Sequence, residues 1–221
     1  MDAGCGMGRF LEIAASGSAQ VIGIDMSFSV DAARFNLKKF QNVHLIQGDI
    51  FNPPLALGRF DFIYSIGVLH NTPDPKKAFL SIKSLLSKDG MIAIWLHPKA
   101  RSFRLLTLST VIRFFTSRVR PQFLINWIER VVPTLLPLVR APFIGSLLKG
   151  RLIPICDYKG QLPLNKDQLL EWSILDTFNN LSARYLYSYR PDEINAWFIE
   201  AGLCDISTKQ PAVTAKGKYR G

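Results

Sequence analysis

The 221-residue sequence has few cysteines and no long uncharged apolar run. Its cysteines, Cys5, Cys156 and Cys204, are widely spaced and form no CxxC pair, which excludes a disulfide framework and the common zinc motifs. The longest candidate for a membrane span, 131–139, holds nine residues and two prolines, whereas a spanning helix needs roughly 18. The amino terminus lacks the basic start and apolar run of an export signal. We therefore expect a globular protein in a reducing, cytoplasmic compartment, with no metal site.

Acidic residues are nearly absent from one part of the chain. The whole sequence carries a net charge of +10, yet residues 99–151 alone contain ten Lys or Arg and one acid. The remaining 168 residues hold 17 basic and 16 acidic side chains. Of the 53 residues in the basic segment, 26 are also apolar. The composition therefore predicts an inserted lid or docking element in a chain long enough for one α/β domain.

Residues 1–98 alternate short apolar runs with amphipathic stretches, which is typical of βα units around a parallel sheet. The predicted strands are 20–25, 43–48, 60–65 and 91–97, with closing strands near 204–208 and 212–218. The predicted helices are 8–16, 29–40, one from Asp74 to the Asp89-Gly90 turn, one from Pro121 to Pro133, and one from Arg190 to Gly202. The pattern predicts an α/β sheet interrupted by a helical insert.

The loop from Asp2 to Gly8 carries glycines at alternate positions and opens a helix. Missing Cβ atoms let a ligand approach such a backbone closely. The spacing is GxGxG rather than GxGxxG, and an acid precedes the first glycine, which disfavours a pyrophosphate. A cationic or amine-bearing ligand fits Asp2 better.

Two more aspartates follow predicted strands. Asp25 lies where a carboxylate can accept both hydroxyls of a ribose, and Asp49 lies where one can meet an adenine amino group. Each alone is equally well explained as a turn or capping residue. Together with Asp2 they occupy three successive strand ends, which capping does not explain, so they predict one ligand crevice.

The sequence resembles the class I S-adenosylmethionine-dependent methyltransferases, in the branch with a methyltransferase type 11 domain. The resemblance rests on DAGCGMGRF (2–10), VIGIDMS (21–27), GDIF (48–51), FDFIYSIGVLHNTPDPKKAF (60–79), LLSKDGMIAIWL (85–96) and, less specifically, RPDEINAWFIEAGL (190–203) with VTAKGK (213–218). It implies a Rossmann-like, doubly wound, mostly parallel sheet with an antiparallel C-terminal hairpin. The cofactor residues that it implies are Asp2, Ala3, Gly4, Gly6, Asp25, Met26, Asp49, Ile50 and Ser65.

The implied reaction is direct displacement of the methyl group of S-adenosylmethionine by an acceptor nucleophile. Alignment of the reactants supplies on the order of 7–11 kcal/mol in well-oriented systems, so little covalent help is needed. His70 is the candidate general base, and the alternative, which we favour, is that it only shapes the pocket. Tyr185, Tyr187 and Tyr189 line either the acceptor pocket or one face of a strand.

The sequence departs from the family pattern at its start, because Asp2 directly follows the initiator Met. We therefore expect an N-terminally truncated domain without its first, central strand, which folds poorly alone. The expected divisions are 1–98 for the cofactor-binding core, 99–160 for the insert, and 161–221 for the rest of the same domain.

The insert is the main clue to the acceptor. A basic, apolar segment predicts a small or lipophilic acceptor and peripheral membrane contact through 99–151. The alternative is a structural helical cap with solvated arginines. RNA ranks behind both because no RNA-binding module is recognisable. A different function class, a non-catalytic membrane-associated or scaffold protein with a degenerate cofactor fold, also fits, and the sequence does not set the oligomeric state.

Overall fold

The computed structural model describes residues 1–17, 20–99, 108–141, 154–161, 163–209 and 213–221. The chain divides into two compact units. Unit one comprises Met1–Ala100 and Tyr185–Gly221, and unit two comprises Arg101–Arg184. Unit two extends past residue 160, where the insert was predicted to end, because the helix Lys166–Ser182 packs within it. The predicted division into a cofactor-binding core, an insert and a C-terminal part stays a prediction.

The strands of unit one are β1 (Asp2–Ala3), β2 (Val21–Asp25), β3 (Val43–Gln47), β4 (Phe60–Ile66), β5 (Leu86–Leu96), β6 (Leu203–Lys209) and β7 (Val213–Tyr219). They form a sheet in the order β3-β2-β1-β4-β5-β7-β6. The strands from β3 to β5 are parallel, β7 runs antiparallel to β5, and β6 runs antiparallel to β7. The Rossmann-like fold and its antiparallel C-terminal hairpin are confirmed.

The helices among the described residues are α1 (Arg9–Gly17), α2 (Ser29–Asn36), α3 (Pro75–Lys83), α4 (Leu108–Thr116), α5 (Pro121–Arg140), α6 (Lys166–Ser182) and α7 (Pro191–Glu200). A 3-10 turn, Leu69–Asn71, follows β4. Leu11 of α1 is buried with Val21 of β2, whereas Phe79 of α3 stacks on Phe198 of α7 with ring centroids 5.0 Å apart. These helices therefore pack through apolar faces, as predicted by apolar residues that recur about every 3.6 positions.

The central strand was predicted to be missing, and the structure corrects this. Asp2 pairs with Gly23 of β2 on one side and with Tyr64 of β4 on the other, and Ala3 pairs with Ile24. Two residues hold the central position because their backbone groups bond to strands on both sides. Asp2 therefore lies between two strands rather than outside the sheet.

The start of β5 also differs from the prediction. The helix was expected to run through Leu85 and Leu86, but α3 ends at Lys83, and Leu86 pairs with Phe60. Its predicted start is confirmed, since the Asp74 side chain accepts a hydrogen bond from the Lys77 backbone N–H at 3.0 Å. The spacing of apolar residues along the sequence does not show which of them will belong to a strand rather than to the helix.

In unit two, α5 passes through Pro133, where it was predicted to stop. A proline within a helix removes one backbone hydrogen bond and costs about 3 kcal/mol. Pro133 lies on the exposed side of the helix. The other side buries Leu124, Ile128, Val132, Leu136 and Val139 against residues of α6 and the preceding loop, including Leu181 and Ile155. Burial of these side chains offsets the cost of the proline.

No helix among the described residues has both the length and the apolar composition needed to cross a bilayer.

Candidate active site

Three aspartates meet at one edge of the sheet. Asp2 lies on β1, Asp25 is the last residue of β2, and Asp49 follows the end of β3 by two residues. These strands are parallel neighbours in the order β3-β2-β1. Their carboxyl ends therefore reach the same edge, where open α/β sheets bind ligands. The structure thus brings together the three carboxylates that the sequence singles out.

Most backbone N–H groups of the glycine loop at this edge already donate hydrogen bonds within the protein. Gly4, Gly6 and Gly8 all have positive φ, at 89°, 51° and 88°. The N–H groups of Gly4 and Cys5 donate to the Ile24 carbonyl, that of Gly6 donates to Asp25 Oδ2, and that of Gly8 donates to the Cys5 carbonyl, at distances of 2.8–3.1 Å. A loop with these donors occupied offers little to an anion. Space is open beside Gly6, where an added Cβ would meet nothing within 4 Å.

Asp25 is held in one orientation by its neighbours. Its Oδ2 accepts the Gly6 N–H at 2.8 Å, and its Oδ1 accepts the Ser27 N–H at 2.9 Å and the Ser27 hydroxyl at 2.7 Å. A carboxylate has about four acceptor positions, so these three bonds leave about one. Asp25 can therefore accept one ribose hydroxyl directly, and a second one only if the Ser27 hydroxyl turns away.

Asp2 is a buried carboxyl group that lacks a hydrogen bond to one of its two oxygens. Its side chain is 1% exposed, and Oδ2 has no hydrogen-bond partner among the described residues. Burial raises the pKa of Asp2 to about 7, and the Asp25 charge adds to the rise, while the Met1 amino group and the Tyr64 hydroxyl oppose it. An ammonium group would supply both the missing donor and the missing charge.

The other predicted cofactor residues differ in their exposure to the crevice. Asp49 is exposed and its Oδ1 accepts the Phe51 N–H at 2.9 Å, and Met26 is 75% exposed. Ile50 is buried in the main core, as is Ala3. Ser65 is fully buried, and its hydroxyl donates to the Ala3 carbonyl at 2.8 Å. Its side chain therefore joins β4 to β1 instead of facing an open site.

Tyr64 is a residue that the sequence analysis missed. It pairs with Asp2 across the β1–β4 ladder, and its buried hydroxyl lies near enough to the Asp2 carboxylate to lower the pKa of Asp2. The two groups do not make a hydrogen bond of normal geometry, and neither the hydroxyl nor Asp2 Oδ2 has another partner among the described residues. Burial and the Asp2 charge raise the pKa of Tyr64 above its usual range. The alternation of FDFIYS places Tyr64 on the opposite face from Ser65, but only the strand register shows that it lies beside Asp2.

His70 lies on the 3-10 turn after β4, at the same edge of the sheet. The side chain is 4% exposed, and Nδ1 has no hydrogen-bond partner among the described residues. Its ring makes edge contacts with Trp95 and His97, with centroids 5.7 and 6.0 Å away. Burial, helped by His97, lowers the pKa of His70 to about 4. His70 is therefore neutral at pH 7.

The three predicted tyrosines belong to an extended segment seated beside His70. The Tyr187 N–H donates to the His70 carbonyl at 2.9 Å, and the Tyr189 N–H donates to the His97 carbonyl at 3.0 Å. The rings of Tyr185 and Tyr187 are nearly parallel, with centroids 6.4 Å apart. Tyr189 makes a single bridge to Pro98 rather than a full strand. The segment is therefore joined to the His70 turn through its backbone, whereas the Tyr189 ring packs on Trp197 with centroids 4.9 Å apart.

A separate apolar cleft of about 420 Å³ lies on one face of the sheet. It is lined by Phe10, Ile13, Ala14, Phe62, Tyr64, Ile66, Ala93, Ile94, Trp95 and Thr214. None of the three aspartates lines it. The lining of this cleft is almost wholly apolar, whereas the three carboxylates lie at the edge of the sheet.

The family described as "Methyltransferase domain" matches residues 1–106. A tRNA U34 carboxymethyltransferase of Psychromonas ingrahamii is 32% identical over 99 residues, which is 42% of this chain and 30% of that protein. The chain thus spans about a third of the length of this curated relative. The similarity to it is confined to the length of the cofactor-binding core.

Solved structures share the fold across the whole chain. A carbon methyltransferase, CurJ, matches 100% of this chain and 48% of its own with a TM-score of 0.56 at 14% identity. The magnesium protoporphyrin IX methyltransferase of Synechocystis PCC 6803 matches 99% of this chain and 72% of its own with a TM-score of 0.52 at 14% identity. At such identities the likeness establishes the fold alone.

Proposed function

Residues 1–106 form a class I S-adenosylmethionine-dependent methyltransferase domain, and from that premise we propose that the protein methylates a small, lipophilic acceptor. The observation that carries the proposal is the acidic crevice at the ends of β1, β2 and β3, in which Asp2 Oδ2 is buried without a partner. A glycine loop with occupied N–H groups and a buried carboxylate suits a cationic ligand and disfavours a phosphate.

Each crevice residue has a role that its surroundings support. Asp2 would receive the ammonium group of the cofactor's methionine moiety, and the open space at Gly6 would admit its chain. Asp25, fixed by Gly6 and Ser27, would accept a ribose hydroxyl. Asp49 has an exposed carboxylate, which would accept from the adenine amino group. When bound, S-adenosylmethionine supplies an electrophilic methyl group on a sulfonium.

The protein's own contribution to such a transfer is alignment and exclusion of water. His70 serves this purpose better than it serves as a base. Its buried ring disfavours a positive charge, so it holds a proton poorly at neutral pH. Its Nδ1 has no hydrogen-bond partner among the described residues. Depending on the tautomer of the ring, Nδ1 can accept a hydrogen bond from the molecule to be methylated or donate one to it. We therefore assign His70 to positioning the acceptor.

A lipophilic acceptor is supported by the surroundings of His70. Trp95 packs against its ring, and Tyr187 bonds to its backbone. Aromatic side chains bind ligands largely through apolar area. RNA is a second candidate acceptor, favoured by the similarity to the tRNA U34 carboxymethyltransferase of Psychromonas ingrahamii. We rank it second because that similarity covers only 42% of this chain and 30% of the relative, and a shared fold does not select the acceptor.

The test is transfer of label from methyl-labelled S-adenosylmethionine. The full chain would be incubated separately with an organic-solvent extract of cells and with total RNA. We expect label in the organic extract, and loss of that label in Asp25→Ala but not in Asp31→Ala, whose exposed carboxylate pairs with Arg34. Label in RNA alone would reverse the ranking of acceptors, and no transfer to either would favour the non-catalytic alternative.

A further inference from the structure

The turn between α4 and α5 carries an unusual group of exposed apolar side chains. Each of four aromatic residues is more than half exposed, and two valines beside them are more than two-fifths exposed: Phe114 57%, Phe115 64%, Phe123 65%, Trp127 52%, Val111 43% and Val119 45%. We call residues 111–127 the aromatic tip. The rings of Phe114 and Phe115 are in edge contact, with centroids 5.3 Å apart. Isolated exposed apolar residues are ordinary, but several on one short stretch of chain indicate an interaction surface.

These side chains are not the packing faces of their helices. In α4, Thr116 faces inward, since its hydroxyl donates to the Leu181 carbonyl of α6 at 2.7 Å. In α5, Leu124 and Ile128 are buried in the core of unit two. Phe123 and Trp127 each precede one of these buried positions and point elsewhere. The core of unit two is therefore packed without the six exposed side chains of the aromatic tip.

Positive charge surrounds this surface. Residues 108–141 contain five arginines and a single acid, Glu129. Arg140 pairs with Asp157 at 2.8 Å, but within the described ranges no ion pair is formed by Arg118, Arg120 or Arg130. The Arg118 guanidinium lies 3.8 Å from the centroid of the Phe114 ring. Arg118 also donates a hydrogen bond to the Phe114 backbone carbonyl. Its exposed guanidinium is therefore held beside an exposed ring, where it can meet an anionic partner.

We propose that the aromatic tip docks on the surface of an anionic phospholipid bilayer. Its Phe and Trp side chains enter the boundary between headgroups and acyl chains, while Arg118 and Arg120 meet lipid phosphates. Val111 and Val119 favour a bilayer over RNA, because aliphatic side chains gain from apolar burial but cannot stack on bases. The proposal is independent of methyl transfer, since it uses no residue of the crevice.

Vesicle flotation of the full chain tests this. We expect it to float with vesicles of phosphatidylcholine mixed with phosphatidylglycerol, to bind phosphatidylcholine alone much less, and to release as salt rises. Arg118→Gln with Arg120→Gln should weaken binding by roughly fivefold per arginine. Phe115→Ser with Trp127→Ser should weaken it at every salt concentration, because the apolar contribution is not screened.

The matched control is Phe35→Ser. Phe35 is 70% exposed on α2, with Lys38 Nζ 4.7 Å from its ring centroid, so it is an aromatic–cation pair outside the tip. Its loss should leave flotation unchanged. Trp127→Phe keeps an aromatic side chain, so it should retain flotation but lose any blue shift of tryptophan fluorescence that anionic vesicles cause. Equal flotation with both vesicle types, insensitivity to the tip substitutions, or binding to RNA without binding to vesicles would each overturn the proposal.

Discussion

Asp2 is the residue on which the chemistry of the crevice depends most. A carboxylate removed from water needs hydrogen bonds or a counter-charge, and its Oδ2 has no hydrogen-bond partner among the described residues. In the unliganded protein its pKa is about 7, mainly because of burial. A cationic ligand would favour the ionised form and lower that pKa, so ligand binding and proton release are coupled.

This coupling predicts that S-adenosylmethionine binds more weakly in acid. Below about pH 7 the free protein must lose a proton from Asp2 before the cation pairs with it. Affinity should therefore fall by up to about tenfold per pH unit below 7 and be flat above it. Calorimetric titration between pH 5 and 8 measures this. Asp2→Asn should bind weakly with a flat profile, whereas an unchanged pH dependence in that variant would assign the titration to another group.

His70 makes a separate prediction, about the pH dependence of stability. Its pKa is lowered to about 4 from 6.5 by burial, so the unfolded chain binds protons more tightly than the folded one between these values. The contribution of His70 to stability should be complete above pH 6.5 and decrease as the pH falls, with a slope approaching about 1.4 kcal/mol per pH unit. Asp2, whose pKa is raised by burial, contributes a slope of the opposite sign, so the contribution of His70 is measured as a difference between variants.

Urea unfolding of the wild-type chain and of His70→Asn from pH 4 to 7.5 tests this contribution. The asparagine variant should lose less stability in acid, because asparagine has no ring to protonate in the unfolded chain. If both proteins lose the same free energy, His70 is not held neutral by burial.

At the scale of elements, the sequence predicted most helices and strands, but it missed α6, extended α2 beyond Asn36, and misplaced boundaries of α5 and β5. Helix α5 continues past Pro133 because its buried side chains outweigh one lost hydrogen bond. Strand β5 takes Leu86 because Phe60 is available to pair with it. Both outcomes are decided by contacts between distant residues, which local periodicity does not contain.

The packing of α5 predicts a large difference between two substitutions on one helix. Ile128 is fully buried in the core of unit two, whereas Phe123 is 65% exposed. Ile128→Ala should lower the free energy of unfolding by about 2–5 kcal/mol, since it opens a cavity. Phe123→Ala should change it by less than about 1 kcal/mol. Guanidinium unfolding compares the two, and equal losses would mean that α5 packs through the opposite face.

At the scale of the whole molecule, the net charge of +10 belongs largely to one segment of the sequence. The acidic crevice lies in unit one, whereas Arg118 and Arg120 of the aromatic tip lie in unit two. Composition predicted the basic segment, and motifs predicted the three aspartates. The sequence alone did not show that Asp25 accepts hydrogen bonds from Ser27, that the Ser65 hydroxyl bonds to a neighbouring strand, or that Tyr64 lies beside Asp2. The register of the strands decides the contacts of Ser65 and Tyr64.

The central claim is that the carboxylate edge of the sheet binds S-adenosylmethionine. Asp25 is the residue to remove, because it is at the end of β2 and also fixes the glycine loop through Gly6. A hydrogen bond to a charged group contributes about 1.5–3 kcal/mol, so Asp25→Ala should weaken binding by roughly 10- to 150-fold.

Isothermal titration of the full chain with S-adenosylmethionine, for the wild type, Asp25→Ala and the exposed control Asp31→Ala, is the most direct test. If the carboxylate edge binds S-adenosylmethionine, we expect one site per chain, loss of affinity in Asp25→Ala, and wild-type affinity in Asp31→Ala. Equal affinity in all three proteins, or no binding to a wild-type chain that unfolds cooperatively, would contradict it.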